Sequence, residues 1–125
     1  MKRPVNINLL KIKLPLTALL SITHRLSGMF IFFIVMPVSV ISLSFLLESS
    51  ASYELFKENY NSSISLKIIF LSLIIIFKYH IFTGVRHMLM DFHLISESLA
   101  SSYRSSQITL ILFLADSLLT AVVIL

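Results

Sequence analysis

A lysine and a histidine stand inside one apolar run, Leu66-Lys-Ile-Ile-Phe-Leu-Ser-Leu-Ile-Ile-Ile-Phe-Lys78-Tyr-His80-Ile-Phe-Thr-Gly84-Val85. Lipid solvates such groups poorly, so they usually face a bundle interior, a partner or a cofactor. His80 is therefore the strongest functional pointer in the chain. His87 follows seven residues later. Seven steps of about 100° return to nearly the same helical face, about 10 Å further along the axis. Thr83, Gly84 and Asp91 lie near the same stripe.

A haem iron accepts axial imidazoles from opposite sides, so His80 and His87 cannot both bind one iron. One axial histidine here and another on a separate chain is one reading. The other is a hydrogen bond from His80 to a helix neighbour. His24 is not expected to be the second ligand, because it sits near the cytoplasmic interface and His80 lies about two turns deeper. Gly84, one turn from His80, leaves room for a macrocycle or for close helix packing.

Ser21, His24 and Arg25 form a second group at the start of the first span. Ser21 and Arg25 are i,i+4 neighbours on one face. A hydroxyl and a guanidinium there can hold a carbonyl or a propionate. The alternative is interface decoration, with Arg25 reaching lipid phosphate. Lys78 is about 200° round the helix from His80 and faces nearly the other way. Asp116, the acid of the third span, falls at a similar depth of about 11–12 Å. An ion pair between the second and third spans is the natural compensation. The alternative is a snorkelling lysine with Asp116 protonated or bonded to serine.

Three apolar blocks of about 20 residues must position these groups; the first, uncharged over 26–47, is long enough to cross a bilayer, and the third is short. The expected fold is all-α: a single membrane-anchor domain, 1–125, with spans near 20–47, 66–86 and 108–125 in an up-down-up bundle. Pro15 and Thr17 mark the first helix start, with Thr17 a fair N-cap. Pro37 predicts a kink within the first span. A Ser- and Asn-rich loop is expected over 48–65, and a second connection over 86–107. No internal repeat is evident.

The chain of 125 residues is 57% hydrophobic, with mean hydropathy +0.94. That composition excludes an ordinary soluble domain. The net charge of +4 does not imply nucleic acid, because the basic residues cluster at span ends. Cysteine is absent, so this chain supplies no disulfide, no cluster thiolates and no covalent haem attachment. No Gly-rich phosphate loop is present, and no cleaved targeting segment is expected. Lys2, Arg3, Lys11, Lys13 and Arg25, with Arg86 and Arg104, outweigh Lys57 and Lys67 on the opposite side. The positive-inside rule then puts the N-terminus in the cytoplasm or matrix.

Two stretches carry a resemblance. Arg3-Pro-Val-Asn6, with Leu14-Pro-Leu-Thr-Ala-Leu-Leu-Ser21-Ile-Thr-His24-Arg25-Leu-Ser-Gly28, resembles the N-terminal signature of the larger cytochrome b membrane anchors of succinate dehydrogenase. Tyr79-His80-Ile-Phe-Thr-Gly84-Val-Arg86-His87-Met-Leu-Met-Asp91-Phe resembles that family's His-x-x-x-Gly-x-Arg-His-x-x-x-Asp signature. The resemblance implies that His80 is an axial ligand of haem b, with the other ligand from a smaller anchor subunit. It implies that Ser21 and Arg25 belong to a ubiquinone site, and that His24 and Arg25 lie near the haem propionates. It also implies flavoprotein and iron–sulfur partner subunits that carry succinate oxidation, in a bacterial inner membrane or a mitochondrial inner membrane. Lys78 and Asp116 depart from the apolar character usual at those positions. Competing expectations are a quinol:fumarate reductase anchor and a cofactor-free membrane assembly protein.

Overall fold

The computed structural model describes residues 13–96 and 98–125, with no strand among them. The Arg3–Asn6 part of the first signature, and the charges Lys2, Arg3 and Lys11, lie outside the described residues. Three helical stretches are long and apolar enough to cross a membrane: Leu16–Glu48, Ile64–Asp91 and Leu99–Ile124. The fold is all-α and multi-pass.

The first stretch begins as α1 (Leu16–Phe30), passes through a π-helical turn (Ile31–Val35) and continues as α2 (Met36–Glu48). Pro15 itself occupies the N-cap position and no side chain caps this end. Thr17 lies inside the helix, so the expected Thr cap does not form. The π turn answers Pro37, which lacks an N–H and whose ring crowds the carbonyl one turn back. Met36 N–H reaches back five residues to the Ile31 carbonyl, widening the helix ahead of the proline.

The stretch expected as a loop is mostly helical. Helix α3 spans Ser50–Ser62. Ser49 Oγ accepts from Ser52 N–H at its start, and Ser63 Oγ accepts from Leu66 N–H at the start of α4 (Ile64–Asp91). The serines act as helix caps rather than as loop residues. Phe56 and Tyr60 of α3 rest on Phe70 of α4, with ring centroids 5.6 and 6.0 Å away.

Helix α4 runs on to Asp91 and α5 covers Leu99–Ile124, so the connection expected over 86–107 shrinks to a short turn. His93, at φ 56°, donates its N–H to Met90 O, and Leu94 N–H donates to Leu89 O, at 2.9 and 3.0 Å. This is a Schellman ending with histidine in the left-handed position usually held by glycine. Ser98 caps α5 by accepting from Ser101 N–H.

Helix α4 packs between α1 and α5. Among the described residues few apolar side chains are buried (Leu20, Val35 and Leu71), while Ser27, Thr83, Arg86, Ser102 and Ser106 are. In lipid, apolar side chains gain little by leaving the bilayer, so small residues and interhelical hydrogen bonds hold helices together. Phe32, Phe33, Leu47, Val122 and Val123 are left on the outer faces.

Candidate functional site

The site sits where α1 crosses α4. The His24 and His80 rings stack there, centroids 4.2 Å apart and planes 7° from parallel. Each ring rests on a glycine of the opposite helix. A Cβ on Gly28 would lie 3.1 Å from His80 Cε1, and one on Gly84 would lie 3.1 Å from His24 Cε1. Each ring also meets a hydroxyl of the opposite helix: His80 Nδ1 is 2.9 Å from Ser27 Oγ, and His24 Nδ1 is 2.8 Å from Thr83 Oγ1.

The hydroxyls have already used their protons. Ser27 donates to the His24 carbonyl at 2.7 Å, and Thr83 donates to the Tyr79 carbonyl at 2.7 Å. Their oxygens therefore accept from the rings, which places the proton of each imidazole on Nδ1. His80 Nδ1 also lies 3.3 Å from the His24 carbonyl, a group that only accepts. Each ring is left with a lone pair on Nε2.

The expected difference in depth between His24 and His80 is overturned. It follows from placing span ends at the charges. The helices run further: α1 begins at Leu16 and α4 continues to Asp91, which brings the two histidines level. The two rings lie side by side, face to face, rather than edge to edge across a gap. His87 joins the group, its ring centroid 5.1 Å from that of His24. His24, His80, Ile81, Gly84, Val85, His87 and Met88 line an open cleft of about 410 Å³.

Ser21 is half-buried and Arg25 is exposed, on the same face of α1. Neither makes a side-chain hydrogen bond or ion pair among the described residues, so the Arg25 guanidinium remains available to a group from outside the chain. Tyr79 ties the two helices a turn away, its hydroxyl bonded to Thr23 Oγ1.

The far side of α4 is bound to α5 by two cations. Lys78 Nζ is 2.8 Å from Asp116 Oδ2 and donates to Thr120 Oγ1. Thr120 in turn donates to the Asp116 carbonyl. Arg86 is 3% exposed. Its Nε donates to Ser105 Oγ and its Nη2 to Ser102 O and Oγ, all at 3.1 Å. Arg86 is thus not the span-end marker that the charge count expects; it is an interior clasp, satisfied by neutral oxygens of α5.

The chain matches the succinate dehydrogenase/fumarate reductase transmembrane subunit family over residues 1–122. It belongs to that family. It is also 40% identical over 96 residues to the succinate dehydrogenase cytochrome b556 subunit of Coxiella burnetii (strain RSA 493 / Nine Mile phase I), covering 72% of this chain and 71% of that protein.

As a succinate dehydrogenase/fumarate reductase transmembrane subunit, the chain is a membrane part of an oxidoreductase complex. Ser27, Thr83 and Arg86 are the residues of this transmembrane subunit to which sequence reasoning assigns no site role. A signal for the first two is present. His24-Arg-Leu-Ser27-Gly28 and His80-Ile-Phe-Thr83-Gly84 are the same pattern, His-x-x-Ser/Thr-Gly, written twice. In a helix it aligns an imidazole, a hydroxyl and a bare backbone along one stripe. Two antiparallel copies are complementary, each ring filling the other's glycine gap. The Arg86 clasp carries a weaker signal, the run of serines opening α5.

Proposed function

We propose that this transmembrane subunit anchors a succinate dehydrogenase at the membrane, binds haem b through His80 and helps form a ubiquinone-reducing site with Ser21 and Arg25. The observation that carries the reading is His80 in its cleft, with Nδ1 engaged by Ser27 and Nε2 left as a donor. His80 would hold the haem iron from this chain, together with a residue of a smaller anchor subunit. Haem b, when bound, supplies one-electron transfer.

The chain's own residues supply position. The stacked His24 ring and the Gly28 seat limit rotation of His80. Arg25, exposed and without a partner among the described residues, would hold a haem propionate or polarise a quinone carbonyl, and Ser21 on the same face would donate a second hydrogen bond to that oxygen. Charge developing on the oxygen during reduction is stabilised by both donors. Succinate chemistry belongs to flavoprotein and iron–sulfur partners, in keeping with a chain that has no cysteine. Its place is the bacterial inner membrane, N-terminus in the cytoplasm, where lipid covers the outer helix faces.

The test is His80→Ala in the assembled complex. Low-spin haem b absorption is expected to fall or to convert to high spin, while succinate oxidation by a soluble acceptor persists. Unchanged haem content and an unchanged low-spin spectrum would remove His80 from the iron.

A further inference from the structure

The hydroxyl of Ser27 is built into the seat of His80. Ser27 is 6% exposed and its proton is committed to the His24 carbonyl at 2.7 Å. Its oxygen faces His80 Nδ1 at 2.9 Å. A hydroxyl whose proton is taken presents only lone pairs. It therefore selects one imidazole tautomer, protonated at Nδ1 and basic at Nε2. The His24 carbonyl, 3.3 Å from the same Nδ1, enforces the same choice. Gly28, the next residue, lets the ring come this close. Adjacent residues of α1 thus give His80 its clearance and its proton position.

We propose that Ser27 is a positioning residue for the haem-ligating histidine: it would hold His80 as the Nδ1–H tautomer, leave Nε2 as the nitrogen free to hold the iron, and strengthen that nitrogen as an electron-pair donor. The proposal rests on the reading of His80 as the haem ligand. Groups hydrogen-bonded to the far nitrogen of a ligating histidine fix its orientation and strengthen it as a donor. A stronger electron-pair donor favours the oxidised iron, so with haem bound this hydrogen bond would draw the reduction potential downward. Ser27 is separate from the quinone pair. It stands six residues after Ser21, and about 600° of helical rotation turns it well away from the Ser21 face.

The experiment uses the complete membrane complex carrying Ser27→Ala, Ser27→Thr, Ser27→Cys or His80→Ala. Readouts are the low-spin haem spectrum, the haem midpoint potential and the rate of haem loss to excess apomyoglobin. Ser27→Ala is expected to keep low-spin haem but to shift the potential positive and to weaken haem retention about 10-fold or more. Ser27→Thr, which keeps the hydroxyl, should return both values toward those of the unaltered complex. Ser27→Cys, close in size but a weaker acceptor, should shift the potential in the same direction by less. It carries the test if the alanine variant fails to assemble. Unchanged potential and retention in both Ser27→Ala and Ser27→Cys, with His80→Ala losing low-spin haem, would overturn the role of Ser27 and leave His80 as ligand. A normal low-spin spectrum in His80→Ala would overturn both.

Discussion

Gly28 lies directly against the His80 ring, where a methyl group on its Cα would approach Cε1 to 3.1 Å. That separation is tighter than ordinary van der Waals contact, so the ring or the helix must move if a side chain is added. Gly28→Ala is expected to displace His80 and broaden or weaken the haem spectrum. Overpacking costs about 1–3 kcal/mol, against roughly 1 kcal/mol gained by replacing glycine with alanine in a helix. Thermal stability in detergent should fall modestly. Gly84→Ala, acting on His24, should lower stability to a similar degree and should disturb the haem spectrum less than Gly28→Ala, because it reaches His80 only through the stacked His24 ring. Identical haem spectra for the Gly28 variant and the unaltered complex would contradict the first expectation.

Lys78 and Asp116 join α4 to α5 at 2.8 Å. Removing one partner of a fully buried pair costs roughly 3–5 kcal/mol in soluble proteins; this pair is only half-buried and lysine can reach toward water, so the loss should be smaller. Lys78→Leu and Asp116→Leu should each reduce detergent stability. The double substitution should recover part of the loss. Strictly additive losses in that double-mutant cycle would show that the two side chains are energetically independent.

Arg86 is held by three hydrogen bonds to Ser102 and Ser105. Bonds to a charged group contribute about 1.5–3 kcal/mol each in favourable settings, and these are not additive. Arg86→Ala should open the α4–α5 contact and lower stability by several kcal/mol. Arg86→Met should cost less, because it fills the space and Ser105 and Ser106 keep their bonds to the Ser102 carbonyl. Equal damage from both variants would mean that charge, rather than volume, holds the joint.

Arg25 is exposed and Ser21 shares its face. Arg25→Leu is expected to impair succinate-dependent quinone reduction by about 10-fold or more, the scale of losing a preorganised donor to a developing oxyanion. Succinate oxidation by an artificial acceptor should persist. Parallel loss of both activities in a fully assembled complex would assign Arg25 to assembly instead.

Much of the molecule is determined by the sequence by itself. Three long apolar runs leave helices as the economical way to satisfy the backbone in lipid, and the depth of Lys78 and Asp116 follows from counting along those runs. The two signatures are enough to point to the family. Other features are decided by tertiary structure. Charge along a linear chain marks span ends, but α5 supplies oxygens that let Arg86 sit inside the bundle, so α4 is longer than its apolar stretch. Ser49 and Ser63 have the composition of a loop, and only the folded backbone turns their hydroxyls into helix caps. The pairing of His24 with His80 depends on two antiparallel helices meeting at one level, a relation between segments that no single helix's periodicity contains. Only that meeting turns a twice-written pentapeptide into reciprocal seats for two rings and sets the proton of each imidazole.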